Sequence, residues 1–293
     1  SIIKDIENLH FELKYPSKKF SKIYDMILKI NDSTMNKVKI SLFILNIQEI
    51  DLSFQKNVHI GSIFIDSSVK KIADSAFSEC SSLTEISLPS SMTFIGRNYF
   101  NSFSSLKKVF IPSSVTLIDD LAFSNCSSLV KIIIPNTVEK IGRYCFSECK
   151  SLINVYISSN LKIIPIGAFR GCSSLKEIKI PSSVNTIEEE AFSGCLSLKE
   201  IVIPNSVKLI GDNAFSICMA VSKVIMPSSL KSIGSCTFYG CSSLKFVSIP
   251  SSINSIGDKA FFGCSSLNEI IIPSSIKSIG EKAFPEETTI INK

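Results

Sequence analysis

A unit of 23 residues repeats along most of this chain without insertion or deletion, and this period constrains the fold more than any other feature. One complete copy spans residues 241–263, and equivalent copies give ten units over residues 57–286. A fixed period of about 20 to 50 residues is typical of solenoids, in which each unit buries its apolar side by stacking on its neighbours. The sequence therefore predicts one continuous elongated body.

Each unit contains one strand signal and one turn signal. The fourth, seventh and ninth positions are Leu, Ile or Val with few exceptions, as in Leu83, Ile86 and Leu88, and they alternate with polar residues. This pattern indicates a strand with one buried face. Proline follows the strand in eight units and, because it lacks an N–H donor, should end the strand in each rung. We expect a short helical turn to carry the Ala-Phe pair near the end of the unit.

A phenylalanine occupies the same position in all ten units, which predicts a continuous stack of buried rings inside the solenoid. These residues are Phe77, Phe100, Phe123, Phe146, Phe169, Phe192, Phe215, Phe238, Phe261 and Phe284.

The consensus Leu-x-x-Ile-x-Ile-Pro-Ser-Ser-Val-x-x-Ile-Gly-x-x-Ala-Phe-x-Gly-Cys-Ser-Ser closely resembles the BspA-like class of leucine-rich repeat. The resemblance covers residues 57–286, about four fifths of the chain. It implies a repeat solenoid shaped as an arc, with a parallel β-sheet on the concave face and short strands or 3-10 turns on the convex side. Bacterial members of this family resemble surface adhesins, and protists contain an expanded set of members, some of which are intracellular. The function that the resemblance implies is therefore protein binding.

Two segments lie outside the repeats, one at each end of the array. Helical spacing of apolar residues over residues 17–28 predicts an amphipathic helix, and alternation over residues 38–44 predicts a strand. We expect residues 1–56 to form an N-terminal cap of a helix plus strands, with a separate docking module as the alternative. Residues 287–293 start a partial terminal repeat. Its open sheet edge makes a homo-oligomer a further hypothesis.

Composition argues against several classes of function. The 31 basic and 26 acidic side chains give a net charge of +5 and are interspersed, which favours neither a nucleic-acid tail nor an acidic tail. No apolar run approaches the roughly 20 residues that span a bilayer, so no membrane insertion is expected. Charges in the first eight residues leave no visible secretory signal, although Ser1 is not an initiator Met and a removed signal is an alternative.

The sequence offers little for catalysis. His10 and His59 are its only histidines, and neither a hydrolytic triad nor a His-rich metal centre can be assembled from them. The glycines are single and belong to the repeat, so no phosphate-binding loop is predicted. We expect a protein that is not an enzyme and that needs no cofactor or metal.

Eight of the ten cysteines occupy the first position of the unit, which predicts small buried thiols in their reduced form. Two alternatives are open. Rungs roughly 4.8 Å apart would allow a disulfide between neighbours such as Cys149 and Cys172, whereas a zinc site is less favoured because an even column is not a tetrahedral cluster. Cys236 is the thiol expected to be exposed. So many unpaired cysteines favour the cytoplasm or nucleus, with the cell surface as the alternative.

The sixth and eighth positions of each unit should point outward from the concave sheet. The eighth is apolar in seven of ten units, which indicates an interface, although such residues also suit strand centres. The sixth position carries mixed charges. The residues predicted to bind a partner are Phe64, Phe110, Ile133, Tyr156, Lys179, Val202, Ile225 and Ile271 from the eighth position, and Lys108 and Lys131 from the sixth.

The sequence thus predicts a non-enzymatic scaffold that binds a protein ligand on its concave sheet. A cell-surface adhesin and an intracellular regulatory subunit, for example of a protein phosphatase, are the alternatives.

Overall fold

The computed structural model describes residues 8–14, 39–46, 48–50 and 60–293. Within these residues the regular elements are all β-strands, in the order β1 Asn8–Lys14, β2 Lys39–Leu45, β3 Glu49–Ile50, β4 Ile60–Ile65, β5 Lys71–Ile72, β6 Glu85–Ser87, β7 Phe94–Ile95, β8 Lys108–Phe110, β9 Leu117–Ile118, β10 Lys131–Ile133, β11 Lys140–Ile141, β12 Asn154–Tyr156, β13 Ile163–Ile164, β14 Thr186–Ile187, β15 Glu200–Val202, β16 Leu209–Ile210, β17 Lys223–Ile225, β18 Ser232–Ile233, β19 Phe246–Ser248, β20 Ser255–Ile256, β21 Glu269–Ile272, β22 Ser278–Ile279 and β23 Thr289–Asn292.

The longer strands form the concave sheet of a parallel-strand solenoid. Its first section has the order β1-β2-β4-β6-β8-β10-β12, followed by β15-β17-β19 and then by β21-β23. The partners within the repeats are 23 residues apart, as in Glu85 with Lys108 and Lys223 with Phe246. On the convex side the two-residue strands form their own short ladders, such as β7-β9-β11 and β18-β20-β22. The predicted solenoid is confirmed.

The concave sheet is interrupted at two places. Residues 177–179 occupy the strand position that follows β12, but they belong to no ladder, so β12 and β15 end separate sections. Further along, β19 is not paired with β21. Both interruptions open the concave surface between neighbouring rungs.

The strand pattern predicted from the sequence is confirmed in the repeats. In β6 the central Ile86 is buried while Glu85 and Ser87 are exposed, and the strand ends before Pro89. This alternation places the sixth and eighth positions on the outer surface, because successive side chains of a strand point to opposite faces.

The predicted helical turn around the Ala-Phe pair is wrong. In the pair Ala122-Phe123, the N–H of Phe123 donates to the carbonyl of Cys145 in the next rung at 2.8 Å. Leu121 and Asn125, on either side, have positive φ values of 58° and 59°, which a right-handed helix excludes. The pair therefore lies in a turn whose hydrogen bonds link successive rungs.

The phenylalanine stack is confirmed. From Phe100 to Phe284, successive rings are stacked with centroids 5.0 to 5.8 Å apart. All ten side chains are buried, nine of them completely. Each ring from Phe123 to Phe261 is stacked on an equivalent ring on both sides, so the column forms a continuous core.

Strands also extend beyond the repeats. The strand predicted over residues 38–44 is confirmed as β2, which pairs in parallel with β4. β1, which no sequence pattern predicted, pairs in parallel with β2. The helix predicted over residues 17–28 lies outside the described residues. At the other end, β23 pairs with β21.

Replacing a ring in the middle of the stack should destabilise the solenoid strongly. Phe169 is completely buried, 5.5 Å from the ring of Phe146 and 5.4 Å from that of Phe192. We expect Phe169→Ala to lower the free energy of unfolding by about 3 to 5 kcal/mol, because it leaves a cavity between two rings. The exposed Phe110→Ala serves as the control, with an expected change within about 0.5 kcal/mol in urea denaturation. Equal effects of the two variants would contradict a stack that carries the core.

Candidate functional site

Three neighbouring strands of the concave sheet present large apolar side chains to solvent. Phe110 at the end of β8 is 75% exposed, and Ile133 and Tyr156 in the next two rungs are 53% and 55% exposed. Ile133 is aligned with Tyr156 in the β10–β12 ladder. The central residues of β10 and β12 are buried and anchor these two strands. The ladder therefore holds these outward side chains at fixed spacing.

Two lysines border these apolar residues. Lys108 and Lys131 are aligned with each other in the β8–β10 ladder, and both are exposed. The ammonium nitrogen of Lys131 lies 5.0 Å from the centroid of the Tyr156 ring, a cation–π distance. We call Lys108, Phe110, Lys131, Ile133 and Tyr156 the basic-aromatic patch.

The lysines of this patch have no acidic partner among the described residues. Ion pairs there join Lys71 to Glu49, Arg97 to Asp120, Lys150 to Glu148, Arg170 to Glu190 and Lys223 to Glu200. Glu85 is aligned with Lys108, but no ion pair connects the two side chains. The basic-aromatic patch thus carries uncompensated positive charge.

A second group of exposed apolar residues lies nearer the C-terminal end. Val202, Ile225 and Ile271 have roughly half of their surface exposed, as the sequence predicted, and Phe246 is 72% exposed. We call these four residues the apolar patch. On two of the strands that carry this patch, the neighbouring charges are compensated, since Lys223 pairs with Glu200 at 3.3 Å. Phe246 was not among the predicted binding residues because its position in the repeat is usually polar, although an apolar side chain there was itself a signal.

Two predicted residues have a different environment from the others. Phe64 is only partly exposed, because its ring stacks on that of Phe43 with centroids 4.8 Å apart. Sequence reasoning missed Phe43, which precedes the first repeat and so lies outside the periodic pattern. Lys179 is exposed, but it belongs to the segment without ladder partners.

Open clefts coincide with the two interruptions of the sheet. One of about 600 Å³ lies between β12 and residues 177–179 and is lined by Tyr156, Glu177 and Lys179, among others. The other, of about 1240 Å³, lies between β19 and β21, and Phe246 and Ile271 contribute to its lining. Each patch therefore has a depression beside one of its exposed rings, Tyr156 in the first and Phe246 in the second.

The cysteines form a separate, internal column. All ten thiols are free, nine are buried, and Cys236 is partly exposed. Cys145 and Cys236 lie outside this column. From Cys126 onward, each thiol in the column donates to the carbonyl oxygen of a phenylalanine 26 residues earlier, at 3.1 to 3.4 Å. The prediction that the thiols of the column are buried is confirmed. No cluster of His, Cys, Asp or Glu capable of holding a metal ion occurs within the described part of the chain.

Comparison with known proteins is consistent with this geometry. The family described as BspA type leucine rich repeat region, in six copies, matches residues 48–176 and residues 162–291. The chain belongs to the BspA-type leucine-rich repeat family. Leucine-rich repeat domains generally bind proteins and are typically non-enzymatic. In the described ranges of this BspA-type protein, no helix has the length and apolar character needed to cross a bilayer.

Several solved structures of leucine-rich repeat proteins are similar to this chain. A protein from Bacteroides ovatus is 29% identical over 84% of this chain and 79% of its own, with a TM-score of 0.60. A leucine rich cell surface protein from Faecalibacterium prausnitzii is 28% identical over 85% of this chain and 83% of its own, with a TM-score of 0.48. A T. pallidum leucine rich repeat protein is 35% identical over 52% and 72%, with a TM-score of 0.49. None of the curated proteins matches significantly.

The buried thiols should make the protein less stable at alkaline pH. Burial raises the pKa of the Cys126, Cys145, Cys172 and Cys195 thiols well above its ordinary value, and that of Cys218 to about 12. Above about pH 8.5 the unfolded chain releases thiol protons that the folded chain retains, so the free energy of unfolding falls as pH rises. Below that pH, both states keep their protons and the thiols contribute no pH dependence.

Urea denaturation at pH 7.5 and pH 10 measures this effect. We expect the free energy of unfolding to fall less between these two pH values in Cys172→Ala/Cys195→Ala than in the wild type. The difference should be at most about 1.4 kcal/mol per thiol and pH unit. Burial also raises the pKa of Tyr99 to about 12. Because Tyr99 is present in both proteins, comparing how their stability changes with pH removes its contribution, and it also removes the pH-independent cost of the cavities that the two alanines leave. Identical slopes would contradict the assignment to the thiol column.

Proposed function

We propose that this protein is a non-enzymatic scaffold that binds a protein ligand on its concave sheet. The observation that supports the proposal best is the row formed by Phe110, Ile133 and Tyr156, which leaves more than half of each side chain exposed on three adjacent rungs. Contiguous exposed apolar surface of this kind marks interaction sites, and aromatic side chains dominate binding energy at interfaces.

The rigidity of the sheet also supports binding at this surface. Each side chain of the row projects from a strand whose neighbours are stacked in register above the buried core. A partner would therefore lose little free energy in ordering the scaffold. Concave sheets of this shape additionally allow one ligand to contact several rungs at once.

A surface adhesin is the second candidate, because bacterial members of the BspA-type family resemble adhesins. The free cysteines were the reason for predicting the cytoplasm or nucleus. However, nine of the ten are buried, which protects them from oxidants in either compartment. Labelling of intact cells with a membrane-impermeant biotin reagent distinguishes the two locations.

A double substitution on the concave face tests the proposed function. In pull-downs from lysate of its own cells, we expect Phe110→Glu/Tyr156→Glu to lose a partner that the wild type captures, because two carboxylates replace the apolar contacts. Ile163→Glu/Leu209→Glu is the matched control, since both residues are exposed in the short strands β13 and β16. Urea denaturation verifies that both variants fold. Retention of the partner by the first variant, or its loss from the control, would place the interface elsewhere.

We further propose that the chain self-associates through β23. All four residues of this strand are exposed, and β21 is its only ladder partner among the described residues. The N–H groups of Thr289 and Lys293 donate to the preceding rung at 2.8 and 2.9 Å. Since N–H groups alternate in direction along a strand, those of Ile290 and Asn292 point to the other edge and are available to a second copy.

Proline substitution tests this edge without breaking the existing ladder. We expect the wild type to associate reversibly in sedimentation velocity as its concentration rises, and Asn292→Pro to remain monomeric because it lacks the outward N–H donor. Asn292→Ala retains the N–H and should associate like the wild type. A wild type that is monomeric at the highest concentration would remove the proposal.

A further inference from the structure

We infer that the basic-aromatic patch binds an acidic segment of the partner protein, in which Asp or Glu residues accompany apolar side chains. The inference rests on the proposed function and specifies the chemistry of the ligand. It follows from how charge is distributed along the concave sheet.

The first argument is the uncompensated pair of lysines. Lys108 and Lys131 are directly aligned on adjacent strands, an arrangement in which like charges destabilise the sheet. Neither side chain has an ion-pair partner within the described part of the protein. Further along the same column of sixth positions, beside the apolar patch, the charge is compensated, because Glu200 pairs with Lys223 at 3.3 Å. Carboxylates of a bound segment would supply the missing negative charge.

The second argument is the position of Tyr156. Lys131 lies over its ring at 5.0 Å, and Lys179 lines the same cleft of about 600 Å³ on the other side of β12. Glu177 also lines this cleft and offsets part of the charge of Lys179. The two lysines without an acidic partner, Lys108 and Lys131, therefore lie on the two rungs that precede Tyr156, and neither of them lines the cleft.

The third argument is the apolar row beside the lysines. Positions six and eight of one strand are about 6.7 Å apart, and neighbouring rungs about 4.8 Å. A segment that crosses β8, β10 and β12 would then place its carboxylates over the lysine column and its apolar side chains on Phe110 and Ile133. The apolar column runs along β8, β10 and β12, and the lysine column runs beside it on β8 and β10, so one extended segment contacts both.

The flanking charges favour a protein over a nucleic acid. Glu85 precedes the two lysines in their column and Glu177 follows them one rung beyond Asn154, with Glu200 next. These carboxylates limit the cationic stretch to about one rung spacing, roughly 5 Å. Single-stranded nucleic acids bind along charged grooves that follow several nucleotides. A pair of carboxylates matches the available charge better than a run of phosphates does.

Peptide selection followed by binding measurements tests the inference. A phage library of random 12-residue peptides is selected against the purified full chain, and enriched peptides are synthesised with fluorescein for anisotropy titrations. We expect enriched sequences to combine Asp or Glu with aliphatic or aromatic residues. Their affinity should fall by about tenfold or more in Lys108→Glu/Lys131→Glu and should decrease as NaCl rises from 50 to 500 mM.

The matched control changes the net charge equally at another surface. Lys140 and Lys162 are exposed and lie outside the concave strands, so Lys140→Glu/Lys162→Glu should bind the peptides like the wild type. Equal losses in the two lysine variants would show a response to net charge alone and would overturn the inference.

The remaining outcomes separate this inference from the proposed function. Enriched peptides without acidic residues, whose binding is lost in Phe110→Glu/Tyr156→Glu, would overturn the acidic segment but retain concave binding. Peptides that bind this variant normally would contradict both, and a selection that enriches no peptide would overturn the linear segment. A fluorescein-labelled 12-nucleotide oligothymidine that binds more tightly than the peptides, and loses affinity in Lys108→Glu/Lys131→Glu, would assign the patch to nucleic acid.

Discussion

The stacking of equivalent residues from one rung to the next is the interaction on which the structure depends. It occurs as ring contacts in the phenylalanine column, as thiol donation to carbonyl oxygens, and as backbone hydrogen bonds on both sides of each rung. Most ring centroids are 5.3 to 5.8 Å apart, whereas parallel strands are spaced by about 4.8 Å. The wider spacing on the phenylalanine side is consistent with a solenoid that curves toward its strands.

This dependence leaves few positions free to determine function. Inward positions repeat the same side chains because each must fit against its equivalent in the next rung, and the turns are held by bonds between rungs. Outward positions on the concave strands have no such constraint, so they carry the differences between one unit and another. In this chain those differences separate a basic-aromatic patch with unpaired lysines from an apolar patch in which Lys223 and Glu200 neutralise each other.

Much of the fold was predictable from the sequence, because the 23-residue period is read directly. The alternation around Ile86, the end of each strand before proline, the buried ring column and the buried thiols were all expected, and each is present. The outward direction of Phe110, Ile133 and Tyr156 was also expected. The helical turn was predicted incorrectly, because local propensity does not reveal that the N–H of Phe123 donates to Cys145 in another rung. β1 was missed because it lies outside the period.

The sequence alone therefore determined the period, the identity of the buried columns and the face on which variable residues lie. Only the tertiary structure decided where the concave sheet is interrupted, which lysines lack an acidic partner, and that Phe64 is covered in part by Phe43. The physical reason is that a contact repeated in every rung imposes the same residue type at each repeat and so is visible as a period. A contact made once, between residues that are not equivalent, imposes no pattern and is visible only when the rungs are stacked.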